Sequence, residues 1–286
     1  MTQREPLACR LDYDRLLKQE ASYFPRASTG AVERLLASSL PEEAQWIAKM
    51  REGYPEELYL VDEAPDVLVY EGDLSLLSRQ VRLVVAGSRG ASTHTQSVTE
   101  STCCRLAEDG VTILGGMVSA IDMAAHRGSL LAKRHHRDAP TRSAAIVAAP
   151  LGAPWPSGRH ELGRAIYAAG GLLVSLTPQV RGLALDECER RTVQEYRQRF
   201  TAALSTAVLI MHANPNGYTE KLINAALTLE RPVLIWYEIL ENAPAFLEAL
   251  LAKAPKDHAG RELIIVVKNA KDIEAATTAW QLVWWL

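Results

Sequence analysis

The sequence predicts an α/β fold, a Rossmann-like, mostly parallel sheet with helices on both faces. From Val81 onward, short runs rich in β-branched and other apolar residues alternate with longer segments of helical spacing, as in parallel strands joined by helices. Runs such as LVVA and TAVLIM are apolar without interruption, which is typical of strands buried on both faces. The predicted strands are residues 82–86, 111–114, 144–149, 171–175, 207–211, 232–236 and 263–267.

The residues before this alternation predict a small helical segment. Their apolar positions have helical spacing, as in Val32, Leu35 and Leu36 and again in Trp46, Ile47 and Met50. We therefore expect a helical segment over 1–52 and one α/β domain over 53–286. The C-terminal AWQLVWWL is an apolar extension, and an exposed apolar segment needs a partner, so we expect docking or a homodimer or larger homo-oligomer.

Composition restricts the class of protein. The 286 residues are 48% hydrophobic and 23% charged, without an apolar run long enough to cross a membrane. The net charge of −3 argues against a protein that coats nucleic acid by bulk charge, so an anionic ligand must meet a local positive site. The adjacent cysteines 103 and 104 lack metal-ligand spacing, so no metal site is predicted, and without a signal segment the expected location is the cytoplasm.

The first glycine turn, Gly87-Ser88-Arg89-Gly90, lies between a predicted strand and a predicted helix. Ser92 or Thr93 can cap that helix, and Gly110 can end it. A glycine turn with a positive side chain, at the carboxyl end of a strand, suits a phosphate. A tight turn with a purely structural role is the alternative.

Cofactor motifs do not fit this turn. A dinucleotide site needs an acidic residue at the end of the second strand, but that strand ends in Gly115-Gly116. A P-loop motif is also missing from the sequence. We therefore predict no cofactor, and a phosphate of a nucleotide or of a nucleic-acid backbone as the ligand.

The second glycine turn, Gly115-Gly116, opens the segment GGMVSAIDMAAHRGSL, residues 115–130. The helix predicted after it places Asp122 and His126 one helical turn apart. One interpretation is that Asp122 orients His126 as a catalytic base. We favour the other, an ion pair that stabilises the helix, because no nucleophile is evident beside them. No catalytic residue is predicted, and we expect a binding protein rather than an enzyme.

A basic segment, RRTVQEYRQRFTAALS at 190–205, interleaves arginines with an aromatic residue. Such a pattern can follow a phosphate backbone and stack a base, and a solvated helix face is the alternative. The candidate residues are Arg190, Arg191, Tyr196, Arg197 and Arg199.

These motifs, in this order, resemble the DprA/Smf family, DNA-processing factors that bind single-stranded DNA and load a RecA-type recombinase. The resemblance covers roughly residues 54–237 and rests on YPEEL at 54–58, AGSR at 86–89, Gly115-Gly116, AIDMAAHRG at 120–128, PLGAPWPSGRHELGRAI at 150–166, GGLLVSLTP at 170–178, and RQR at 197–199 followed by AALS at 202–205.

The resemblance implies a dimeric protein with a DNA-binding pocket. Arg89 and Arg191 would contact DNA, Arg197 and Arg199 would border the pocket, and Gly87, Ser88, Gly116 and Gly217 would shape it.

The chain also departs from the family pattern at the pocket. The base-stacking phenylalanine falls on Gln194, so stacking would move to Tyr196; the asparagine of R-N-R is Gln198; and Leu176 replaces a glutamate. A divergent member is therefore expected, with a subunit role beside an ATPase partner in antiphage defence as a variant function.

A second hypothesis is a nucleotide-binding or nucleotide-cleaving protein. PNGYTE at 215–220 is similar to the P-G-G-x-G-T-x-x-E of the LOG phosphoribohydrolases, although the second glycine is missing. In that hypothesis Thr219 caps a helix and bonds a phosphate.

Overall fold

A computed structural model describes residues 42–49, 51–61, 64–65, 67–135, 141–149, 151, 157–175, 187–214, 217–252 and 254–281. Most of the predicted N-terminal helical segment, residues 1–41, lies outside the described residues. The end of the apolar C-terminal extension, residues 282–286, also lies outside them.

The described residues form a nine-stranded sheet in the order β1-β2-β6-β5-β4-β3-β7-β8-β9. β1 pairs antiparallel with β2 and β2 with β6, whereas every other pairing is parallel. The strands are β1 Gln45–Ala48, β2 Val67–Gly72, β3 Arg82–Gly87, β4 Thr112–Gly115, β5 Ser143–Val147, β6 Leu172–Ser175, β7 Ala207–His212, β8 Val233–Trp236 and β9 Ile264–Val267. All seven predicted strands are confirmed, as is the mostly parallel sheet.

Helices follow most of the parallel strands. They are α1 Thr93–Glu108, α2 Ala120–His135, α3 Ser157–Ala168, α4 Glu187–Ala203, α5 Tyr218–Thr228, α6 Ile239–Asn242, α7 Pro244–Leu251 and α8 Ala270–Gln281, with short 3₁₀ helices at Glu56–Leu60 and Leu74–Ser78. Within the ranges that the structure describes, no helix is long and apolar enough to span a bilayer.

The helical prediction is wrong for the residues around Trp46, which form strand β1. Trp46 packs in the cluster around Val69 on one face of the sheet, and Ile47 packs in the core on the other. This alternation of faces is that of a strand, and pairing with β2 supplies the backbone hydrogen bonds. The apolar spacing fits a helix as well as a strand, so tertiary pairing decides between them.

Helices cover both faces of the sheet, which confirms the predicted layers. On one face, Val84 and Ile210 of the central strands pack with Phe200 of α4 and Leu222 of α5. On the other, the cluster contains Leu83, Val85 and Leu209 together with residues of α1, α2 and α8. Each large side chain buried this way stabilises the fold by about 1.5–3 kcal/mol.

The turn and cap signals of the first βα unit are confirmed. The Ser92 side chain caps α1 by accepting a hydrogen bond from the Thr95 N–H. Gly110, at the other end, has a φ of +95°, a conformation that favours glycine. α1 therefore begins and ends where the sequence predicts.

The strand order creates a crevice between β3 and β7. From β3 the chain adds β4, β5 and β6 on one side and then returns to place β7 on the other side of β3. In open α/β sheets such a reversal of order leaves a gap beyond the carboxyl ends of the two strands, where ligands bind. Gly87, Gly115 and His212, the last residues of β3, β4 and β7, lie at this edge.

Gly128 allows α1 and α2 to approach closely. A Cβ atom there would lie 2.2 Å from the Glu100 carbonyl oxygen and 2.9 Å from the Cys103 Cβ. We predict that Gly128→Ala lowers the free energy of unfolding by about 2 kcal/mol, because overpacking outweighs the better helix propensity of alanine. Gly158→Ala in α3 is the matched control, since nothing lies within 4 Å of the added atom. Urea unfolding should show the loss for Gly128→Ala alone, and equal stability of the two variants would contradict it.

Candidate functional site

The crevice between β3 and β7 contains a cavity of about 750 Å³. It brings together most of the residues that the sequence analysis selected, from three separate turns and three helices. The selected residues that line it are Gly87, Ser88, Arg89, Gly116, Asp122, Arg197, Gly217 and Thr219. Further lining residues include Val118, Ser119, Gln194, Gln198, Asn214, Tyr218 and Lys221.

Ser88 connects the turn after β3 to the turn after β7. Its N–H donates to the His212 carbonyl at 2.9 Å, and its hydroxyl accepts from the Asn214 N–H at 2.9 Å. The same hydroxyl lies 3.0 Å from the Thr219 hydroxyl, and the Asn214 side-chain amide donates to the Arg89 carbonyl at 3.0 Å. These bonds fix the backbone of the first glycine turn, so Arg89 extends from a rigid loop.

The role predicted for Thr219 as a helix cap is wrong. α5 begins at Tyr218 with Gly217 at the N-cap position, and no side chain caps it. Thr219 lies inside the first turn, where its hydroxyl contacts Ser88 instead. An uncapped helix N-terminus presents its N–H groups and positive dipole end to the cavity, which favours an anion.

Arg197 is a buried cation in the wall of the cavity. Its side chain is 6% exposed, and its Nε has no hydrogen-bond partner in the described chain. Burial lowers the pKa of Arg197, and the nearby Asp122 carboxylate partly opposes this effect. The guanidinium needs acceptors that the described part of the protein does not provide.

Gly116 makes room for this arginine. A Cβ at Gly116 would lie 1.8 Å from Arg197 Nη1 and 3.0 Å from Asp122 Oδ2. Since no real side chain tolerates such distances, any larger residue would displace the guanidinium. The close approach of Arg197 and Asp122 therefore requires glycine at this position, and the role of Gly116 in shaping a DNA-binding pocket stays a prediction.

Asp122 and His126 do not interact as either interpretation expected. The Asp122 carboxylate accepts hydrogen bonds from the N–H and the hydroxyl of Ser119. The Ser119 hydroxyl oxygen in turn accepts from the Asp122 N–H, so the two residues form a capping box at the start of α2. His126 is instead hydrogen-bonded to the Ser143 hydroxyl at 2.8 Å and to the Gly116 carbonyl at 2.9 Å. Burial lowers the pKa of His126, which favours the neutral imidazole, and His126 forms no ion pair with a described residue.

The prediction that Tyr196 stacks a base is wrong. Tyr196 is 8% exposed and its ring stacks on Phe200 in the core, with centroids 5.9 Å apart. Arg199 is exposed and does not line the cavity; its guanidinium lies 5.9 Å from the Tyr196 ring. Arg190 and Arg191 belong to α4, but their side chains lie outside the description.

Tyr218 is the aromatic residue that the sequence analysis missed. It lines the cavity, is 42% exposed, and has Lys221 Nζ 5.6 Å from its ring centroid. Lys221 is also exposed and forms an ion pair with Glu195. Its position in the sequence could have indicated Tyr218, because it directly follows Gly217 in the turn after β7.

The cavity has the chemistry of a phosphate-binding site. Arg89, Arg197 and Lys221 supply positive charge, the uncapped start of α5 supplies backbone N–H groups, and Tyr218 supplies an exposed ring. Positive side chains, N–H donors and an exposed ring are groups that can contact a phosphate and stack a base.

Fold and cavity together define a Rossmann-like protein with a basic cavity at the switch point of its sheet. Residues 45–254 match the model of the family described as DNA recombination-mediator protein A. The chain belongs to this family, which confirms the resemblance to DprA/Smf proteins.

Curated relatives agree with this assignment. Protein Smf from Escherichia coli (strain K12) is 30% identical over 190 residues, which are 66% of this chain and 46% of that protein. DNA processing protein DprA from Bacillus subtilis (strain 168) is 28% identical over 118 residues, 41% of this chain and 38% of the relative. The chain thus spans less than half the length of these relatives.

Solved structures of the same family share the fold. DNA processing protein A from Streptococcus pneumoniae superposes with a TM-score of 0.65 at 20% identity, covering 93% of this chain and 90% of that one. DNA processing protein A from Helicobacter pylori, whose structure concerns its single-stranded DNA binding mode, superposes with a TM-score of 0.63 at 17% identity, covering 82% of this chain and 96% of that one.

The buried His126 predicts a pH-dependent stability. Because burial lowers the pKa of His126 in the folded protein, the unfolded chain takes up a proton there as pH falls through about 6.5 while the folded chain does not. The free energy of unfolding should fall by about 1 kcal/mol more between pH 7.5 and 5.5 in the wild type than in His126→Gln. Denaturant titrations at both pH values measure this, and identical losses in the two proteins would refute the assignment.

Proposed function

We propose that this protein binds single-stranded DNA in the cavity between β3 and β7 and acts in DNA processing during recombination. Family membership supports a role in DNA recombination, and the related protein from Helicobacter pylori supports single-stranded DNA as the ligand. The observation that carries the proposal is the pair of cavity arginines, Arg89 and Arg197. Neither forms an ion pair in the described part of the chain, so both are available to phosphate.

The proposed binding mode places the backbone of the strand across the first and last glycine turns. Arg89 is exposed at the cavity mouth, and the uncapped start of α5 faces the same space. Two or three charge-assisted contacts of this kind hold a phosphate strongly. Since the net charge of the chain is −3, binding depends on these local contacts rather than on bulk attraction.

A base of the bound strand stacks on Tyr218 in this proposal. The ring is exposed and adjoins the helix N-terminus that receives the phosphate. Gln194, which stands where the family has its stacking phenylalanine, lines the same cavity but offers only an amide. Tyr218 therefore supplies from α5 the stacking surface that α4 lacks.

The family description as a recombination mediator supports one further element, transfer of the bound strand to a RecA-type recombinase. We expect this protein to speed recombinase filament formation on strands covered by single-stranded DNA-binding protein. The same assay with Arg89→Ala should show no acceleration, and equal acceleration by both proteins would separate recombinase loading from this cavity.

Replacing Arg89 should weaken DNA binding without affecting the fold. Because Arg89 is exposed and hydrogen-bonds to the described residues only through its backbone, Arg89→Ala should raise the Kd for a fluorescent oligonucleotide about tenfold. Loss of one phosphate contact should also reduce the slope of log K against log salt by about 0.7. Arg134→Ala, an exposed arginine at the far end of α2, is the control. Anisotropy titrations at several salt concentrations that show no binding, or no effect of Arg89→Ala, would remove the proposal.

Replacing Tyr218 should weaken binding by a different mechanism. Stacking is worth about 1–3 kcal/mol per base, so Tyr218→Ala should raise the Kd at least fivefold while leaving the salt slope unchanged. Tyr218→Trp should retain affinity. Tyr59→Ala is a close control, because Tyr59 is 44% exposed and also has a lysine Nζ 5.6 Å from its ring. An equal loss of affinity in Tyr59→Ala would show that stacking in the cavity is not the cause.

A further inference from the structure

Three potential metal ligands meet at the ends of α1 and α2. Cys104 and Glu108 are one turn apart on α1, and His135 is the last residue of α2. Glu108 Oε1 lies 3.9 Å from Cys104 Sγ and 2.5 Å from His135 Nδ1. All three donor atoms lie within 4.8 Å of one another. The cluster is thus an assembled set of one sulfur, one nitrogen and one oxygen donor.

The fold holds the two helices in place beneath this cluster. Gly128 of α2 packs directly on the α1 backbone at Glu100 and Cys104, so the interhelical distance is fixed close to the ligands. Arg127 Nε adds an ion pair to Glu100 Oε2 at 2.9 Å. The separation between the α1 ligands and the α2 ligand is therefore set by packing and not by the cluster itself.

We propose that Cys104, Glu108 and His135 bind a Zn²⁺ ion that links α1 to α2. A thiolate, an imidazole and a carboxylate are the donors that zinc accepts, and the thiolate excludes Mg²⁺ and Ca²⁺ as preferred ions. The thiolate and carboxylate carry two negative charges, which the ion neutralises. His135 is 59% exposed, so a water molecule has room to take the fourth position.

Small movements convert the present arrangement to a tetrahedral site. Zinc bond lengths of about 2.0–2.3 Å place neighbouring donors about 3.4–3.6 Å apart. The sulfur and carboxylate oxygen, at 3.9 Å, already lie near that distance. The exposed His135 must move by about 1 Å to open its bond to Glu108, which rotation of its side chain allows. The proton of that bond moves from Nδ1 to Nε2 by exchange with solvent, which leaves Nδ1 free to bind zinc.

Metal binding at this site includes loss of a proton. Burial, together with the carboxylates of Glu108 and Glu100, raises the pKa of the Cys104 thiol, so the metal-free protein holds S–H. Zn²⁺ forms its bond to sulfur as this proton passes to solvent. The spacing of cysteines along the chain gives no sign of the site, because its third ligand comes from a different helix.

Cobalt absorption tests the ligand set directly. Adding Co²⁺ to the full chain should produce a thiolate-to-cobalt charge-transfer band and the d–d bands of a tetrahedral ion. Cys104→Ser should abolish the charge-transfer band, and His135→Gln should weaken Co²⁺ binding at least tenfold. Serine replacement of the thiols at positions 9 and 188 should leave the spectrum unchanged. A charge-transfer band that survives Cys104→Ser, or that is absent from the wild type, overturns the proposal.

Thermal unfolding tests the link between the helices. Zn²⁺ at about 100 times its Kd should raise the Tm by about 5 °C in the wild type and not in His135→Gln. His258→Gln is the matched control, because His258 Nδ1 and Glu230 Oε2 form a similar pair, 2.6 Å apart, without a thiol. The control should keep the full zinc response, and loss of that response in His258→Gln would place the ion elsewhere. Oligonucleotide binding by His135→Gln should equal that of the wild type, which separates this site from the cavity.

Discussion

The buried guanidinium of Arg197, which has no ion-pair or hydrogen-bond partner among the described residues, is the constraint around which the cavity is built. Burying a charge is costly unless it is paired. The carboxylate of the neighbouring Asp122 does not pair with Arg197, because it accepts hydrogen bonds from Ser119 at the start of α2. The rest of the fold must supply the stability that Arg197 does not. The protein thereby holds a desolvated cation at a fixed position, so that the guanidinium would not have to reorganise to bind a phosphate.

Two hydrogen-bond links keep the walls around Arg197 rigid. One runs from Ser143 of β5 through the neutral His126 to the Gly116 carbonyl, and so ties the turn after β4 to the neighbouring strand. The other joins the turns after β3 and β7 through Ser88 and Asn214. Each link spans elements distant in sequence: one holds the turn after β4 to β5, and the other holds the turns after β3 and β7 to each other. A preformed cavity of this kind loses little entropy when a ligand binds.

The sequence was sufficient where the signal is local. Continuous apolar runs identified the parallel strands, and the Gly87–Gly90 turn identified one wall of the cavity, because both depend on neighbouring residues alone. Tyr196 and Arg197 show the limit: adjacent residues on a helix point in directions about 100° apart, and only packing decides that the tyrosine enters the core while the arginine faces the cavity. The predictions for the residues of strand β1 and for the Thr219 hydroxyl failed for the same reason, since their partners, β2 and Ser88, are distant in sequence.

Charge distribution constrains the proposed mode of DNA binding. A chain with a net charge of −3 attracts a polyanion only over the short range of its positive side chains, about 10 Å at moderate salt. Arg89, Arg197 and Lys221 are the cations that line the described cavity, and Lys221 already shares its charge with Glu195. Binding by so few contacts releases few counterions, so stacking and backbone N–H groups must supply much of the affinity. The exposed ring of Tyr218 and the uncapped start of α5 provide both at one edge of the cavity, as the proposed binding of a nucleic acid by an acidic protein requires.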